Sequence, residues 1–159
     1  MMGMNSRTLR DGAVAGVAAT ATMSVVMLAA RRLGFLGEPP PRRITDVMLD
    51  GVRREGSPGW LRNGLATVAH FAFGAMLGAG FSLAHRRYPR PYSLLPSGLI
   101  TGSLVWFVSY QGWVPALGLM PPVQRDRPGR PATMLVAHWV YGTTLALCLG
   151  WWERRSMAR

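Results

Sequence analysis

The chain has no lysine: all 18 of its basic residues are arginine, against only seven acids, for a net charge of +11. Such a surplus invites a nucleic-acid reading, but that function needs basic residues clustered on one face or helix. Here the arginines sit in the gaps between apolar runs. Arginine used to the exclusion of lysine points to genome base composition rather than chemistry, and no nucleic acid is expected as a partner. Cysteine is nearly absent too. The single Cys148, inside an apolar run, excludes an intrachain disulfide framework.

Charge is also missing from four long windows. These are 12–30, 65–84, 97–119 and 132–152, none of which contains Asp, Glu, Lys or Arg. A spanning helix needs about 20 mainly apolar residues, because a rise of ~1.5 Å per residue must cover ~30 Å of hydrocarbon. Backbone groups in lipid must be bonded internally, so the windows are expected to be helices. The first could instead be a signal peptide, with Arg7 and Arg10 ahead of it. However, Leu28-Ala29-Ala30 is a poor cleavage site and two arginines follow at once, so it is read as a retained span. The fold class is therefore all-α: a single four-helix transmembrane domain over 1–159.

Four spans put both termini on one side. The termini and second loop carry eight arginines. The first and third loops carry ten over more residues, mixed with five acids. This density favours cytoplasmic termini. Tyr88, Tyr92, Trp151 and Trp152 would form the aromatic belt on that side, with Trp60 anchoring the other. The first loop holds a further helix, about 41–55, opened by prolines that the first helical turn tolerates. Ile44, Val47, Met48, Gly51 and Val52 share one face; Arg42, Asp46, Asp50, Arg53 and Arg54 share the other. Arg42–Asp46 and Asp50–Arg54 are opposite charges four apart. An amphipathic helix of this kind lies at a membrane surface, as a plain connection or as a lid over the bundle.

Two histidines break the apolar pattern, each in the same setting: "VAHFAFG" around His70 and "VAHWVYG" around His138. Aligning them also aligns Gly74 with Gly142, Leu77 with Leu145, and Arg86-Arg87 with Arg154-Arg155. The first and third windows both open on GxxxG, at Gly12 and Gly16 and at Gly98 and Gly102, and both lead to a Pro-Pro pair. The pattern reads as a duplicated helical hairpin. Along one helix face, His70 stands above Gly74 and Gly78, and His138 above Gly142. Small residues on one ridge let helices approach closely in lipid, so both rings are expected to point into the bundle.

An intramembrane imidazole is a functional candidate by default. The plainer expectation is structural: a neutral ring bonded to a neighbouring helix, at Ser109, Tyr110 or Gln111. A sharper alternative is haem b held between His70 and His138 as axial ligands. A metal site lacks a third ligand and is not expected. A proton-coupled carrier would place an acid in a span; with none, only the histidines could line a transport path. His85, beside Arg86, reads as solvated. No catalytic constellation appears, so no enzyme is expected. The preferred reading is a non-enzymatic structural or accessory membrane subunit without a cofactor. It would self-associate through its glycine faces or join another membrane protein.

The run "WFVSYQGWVPALGLMPPVQRDRPGRPATMLVAHWVYG", from Trp106 to Gly142, resembles a group of small bacterial four-helix membrane proteins. So does the N-terminal run "GAVAGVAATATMSVVMLAARRLGFLGEPPPRRITD". These are uncharacterised proteins related to the YagU-like inner-membrane family. The resemblance implies a four-helix protein of the bacterial inner membrane and no activity, cofactor or catalytic residue.

Overall fold

A computed structural model describes residues 2–37, 40–51, 58–87 and 94–157. Among them every regular element is helical. In order these are α1 (Met2–Arg32), α2 (Pro40–Gly51), α3 (Gly59–Arg87), α4 (Leu94–Trp106), a π-helical segment (Phe107–Trp113), α5 (Val114–Ala116), a 3₁₀ turn (Val123–Arg125) and α6 (Arg130–Met157). Three stretches are long and apolar enough to cross a membrane: Ser6–Arg32, Gly59–Arg87 and Arg130–Arg155. They contain the expected spans 12–30, 65–84 and 132–152.

The expected span 97–119 is helical but broken. Pro115 has no N–H and its ring crowds the carbonyl four residues back, which disrupts an α-helix upstream. The helix responds by widening. Val114 bonds to the Ser109 carbonyl, five residues back, and Gly112 leaves helical geometry (φ −101°, ψ −106°). Such π-turns and glycines are ordinary causes of a kink. Helix ends at Ala116 rather than residue 119. Gly118 (φ +70°) then closes it: its own N–H bonds to the Pro115 carbonyl and the Leu119 N–H to Val114. The same glycine-closed turn ends α1, where Gly34 (φ +83°) and Phe35 bond back to Arg31 and Ala30.

Packing is pairwise. α1 lies on α3, α4 on α6, and the pairs meet through α1 and α6. Glycine sets both close crossings. A Cβ on Gly16 would strike the Gly74 carbonyl, and one on Gly78 would strike the backbone of Gly12 and Gly16. In the second pair, a Cβ on Gly98 would strike the Gly142 carbonyl, and one on Gly102 the His138 carbonyl. These backbones touch, so each crossing tolerates nothing larger than hydrogen. The core between the pairs is filled by Ala15, Ala19, Met23, Tyr141 and Leu145, all buried. Hydroxyls within the helices mostly bond their own chain four residues back, as Thr20 does to Gly16 and Ser24 to Thr20, both at 2.8 Å.

The first-loop helix is α2, described over Pro40–Gly51; positions 52–55 of the expected 41–55 lie outside the described residues, as do Arg54 of the Asp50–Arg54 pair, Tyr88 and Tyr92. α2 is tied to α3. Arg42 grips Asp46 through Nε at 2.9 and 3.1 Å and also reaches Asn63, and Arg62 of α3 donates to the same carboxylate at 3.1 Å. Trp60 and Trp151 are exposed, the latter beneath Arg155 at 3.7 Å. Trp152 is partly buried against the core.

Gly78→Val should force α1 and α3 apart and cost at least ~1–3 kcal/mol, the usual toll of overpacking. Gly80→Ala, where an added Cβ meets nothing within 4 Å, should be neutral or gain up to ~1 kcal/mol of helix propensity. Thermal unfolding in detergent checks both; equal melting shifts would overturn the crossing argument.

Candidate functional site

His70 enters the site from α3 and His138 from α6, one turn before Gly74 and Gly142 respectively. Both rings line one cavity of about 310 Å³. Its walls are methionines and other apolar side chains, with Met23 and Met27 from α1, Leu77 from α3, Val105 from α4 and Met134 from α6. α2 contributes Pro41, Ile44 and Met48. No charged side chain is among the described lining residues.

The two rings are held differently. His138 is buried, and its Nδ1 lies 2.7 Å from the Met134 carbonyl, one turn back. A carbonyl only accepts, so Nδ1 carries the proton and Nε2 of the neutral ring keeps its lone pair. His70 packs edge-on to Phe71, with ring centroids 6.2 Å apart. Its Nε2 is buried with no hydrogen-bond partner among the described residues.

The π-helical segment Phe107–Trp113 places the other expected residues apart from one another. Ser109 lines the cavity, and its hydroxyl donates to its own helix at Val105, 2.5 Å away. Tyr110 also lines it, but its hydroxyl donates to Asp126 beyond the helix end. Gln111 is exposed and outside the cavity. His138 bonds within α6, not to this helix. The seven helix-packing glycines (12, 16, 74, 78, 98, 102 and 142) are all buried against helices of the same chain. His85 stacks on Phe81 at 6.0 Å, partly covered.

Two arrangements had no reading in the sequence. Tyr141 sends its hydroxyl across to the Gly74 carbonyl at 2.7 Å, a bond from the second helix pair to the first beside the cavity. Its alignment with Phe73 marks an aromatic position but gives no reason for the added oxygen. The other lies at the cavity end of α6. Asp126, 1% exposed at its side chain, pairs with Arg130, 7% exposed, at 3.1 Å, and also accepts from Tyr110. The four-residue spacing of Asp126 and Arg130 was visible; the tyrosine that completes the group is sixteen residues earlier. Tyr110 in turn stacks on Trp106.

Taken as a class, this is an all-helical protein with three helices fit to cross a membrane and an apolar cavity holding two histidines. The chain belongs to a family of unknown function, DUF6789, whose model matches residues 6–159. No curated protein and no solved structure matches it.

Asp126→Ala removes the buried ion-pair partner of Arg130 at 3.1 Å and the Tyr110 acceptor. Breaking a buried pair costs ~3–5 kcal/mol, so a loss of about 3 kcal/mol is expected. Tyr141→Phe, which removes one interhelical bond, should cost only about 1 kcal/mol. Denaturation in mixed micelles ranks the two, and a larger loss for Tyr141→Phe would refute the assignment.

Proposed function

We propose that the chain is a non-enzymatic, four-span protein of the bacterial inner membrane that serves as a structural or accessory subunit. The observation that carries this is the pair of glycine crossings. Lipid offers no hydrophobic drive between helices, and close backbone packing is what holds spans together there. Both helix pairs are built on that device. The fourth span is α4 with its π-helical continuation and α5, Leu94–Ala116. Its Thr101, Ser103 and Ser109 hydroxyls are bonded four residues back, as they must be in lipid.

The duplicated hairpin belongs to the same proposal. With His70 matched to His138, the crossing Gly16–Gly74 corresponds to Gly98–Gly142. This pairs Gly16, rather than Gly12, with Gly98. Eighteen residues separate Gly16 from Gly34 in the first copy, and twenty separate Gly98 from Gly118 in the second. The π-helical widening before Pro115 lies within the longer copy. The kinship with YagU-like proteins rests on the two quoted runs alone.

The glycine ridges are used inside the chain, so association with a partner or a second copy would employ other faces. The exposed apolar side chains offer some, including Val14, Val25 and Leu28 on α1 and Leu147 on α6. With four spans, both termini and the Arg86-Arg87 turn face the cytoplasm. Reporter fusions at the N-terminus, after Arg87 and at the C-terminus test this. All three should report cytoplasm. Termini on opposite sides would leave three spans and sink the proposal.

A further inference from the structure

The cavity between His70 and His138 has the size and lining of a small-molecule site. Such sites start at about 300 Å³ and combine apolar walls with a few convergent polar groups. A lone metal ion needs no space of this size. With no charged side chain among the described lining residues, a charged ligand would be left unpaired in an apolar setting, which is costly. The occupant is therefore neutral.

Its hydrogen-bonding pattern follows from the two rings. His138 Nδ1 is bonded to Met134, so Nε2 can only accept while the ring is neutral. The Ser109 hydrogen is likewise bonded within its own helix, which leaves that oxygen to accept. An acceptor-rich site calls for a ligand that donates. His70 Nε2, buried and unbonded, leaves a second polar group to be met. The body of the ligand is set by the walls. Methionine sulfurs favour aromatic rings, and Met23, Met27 and Met134 all line the space, with Phe73 and Trp113 at its rim. Those two aromatics are 38% and 40% exposed, and Met48 is 61% exposed, so the cavity reaches the surface of the helices.

We propose that this cavity binds a neutral, membrane-dissolved aromatic alcohol of the phenol or quinol class. Its hydroxyl donates to His138 Nε2 and its second oxygen meets His70 Nε2. The inference rests on the membrane reading for the source of the ligand; the site itself stands on the cavity.

The test uses the full chain in detergent micelles and isothermal titration with three probes: trimethylhydroquinone, the matching quinone and the dimethyl ether. Saturable binding is expected, with the hydroquinone about tenfold tighter than the ether, the worth of one hydrogen bond. His138→Leu and His70→Leu should each lose about tenfold. Ala69→Trp, which fills the cavity from α3, should abolish binding, and Gly80→Ala should leave it unchanged. Variants are compared only where their melting midpoints match the parent. Where a histidine variant fails to fold, hydroquinone against ether on the parent chain decides. Equal affinity for all three probes, or no saturable binding, overturns the proposal. So does a Soret band in protein from haem-replete cells that vanishes in His70→Ala or His138→Ala, because haem would then occupy the space. The reporter fusions test span number separately, so failure of one reading leaves the other standing.

Discussion

Everything in this fold depends on two places where helix backbones touch. Gly16 against Gly74 and Gly98 against Gly142 leave no room for a side chain. Leu77 and Leu145 could not substitute for that contact in lipid, where burying an aliphatic side chain against another helix gains little over burying it in acyl chains. What gains is contact density, and backbone against backbone is the densest contact available. Once α1 is pinned to α3 and α4 to α6, the remaining geometry concerns how two rigid pairs lean on each other through α1 and α6.

That arrangement explains why a cavity and two tight crossings coexist in a small protein. The ridges used for contact are the small-residue ones; the neighbouring ridges carry methionines and aromatics. Beside α2, larger side chains such as Met23, Met27 and Met134 line a space instead of filling it. Tyr141 spans the gap by bonding the Gly74 carbonyl, a group reachable because glycine has no side chain to cover it. Asp126, Arg130 and Tyr110 fix the same end of α6 to the π-helical segment after α4. α2, tied to α3 through Asp46, supplies Ile44 and Met48 to the outer wall.

Much of this could be read from residue spacing. The small-residue ridges, the inward histidines and the Arg42–Asp46 pair all follow from residues three or four apart on a helix. Three things could not. The break before Pro115 takes a π-helical form, with Gly112 out of helical geometry, that the proline alone does not specify. The tyrosine partner of Asp126 depends on where the kinked helix delivers Tyr110. The cavity is lined by residues from helices far apart in the chain, which no local pattern records.

The two histidines show why depth in a bundle is not a sufficient account of a buried ring. His70 and His138 sit in similar stretches of sequence, yet one ring is anchored and the other is not. His138 satisfies Nδ1 on its own helix, at Met134, and in doing so directs an acceptor nitrogen away from that helix. His70 has Nε2 buried without such an anchor. A ring present only as helix-to-helix glue would be expected to complete its bonds across an interface, as Tyr141 and the Trp139–Ser103 bond do. Instead both imidazoles border open volume. Uncompensated burial of a polar atom costs roughly 1–3 kcal/mol, and an apolar residue at position 70 would avoid it. The asymmetry therefore argues that the cost is offset by something the cavity receives.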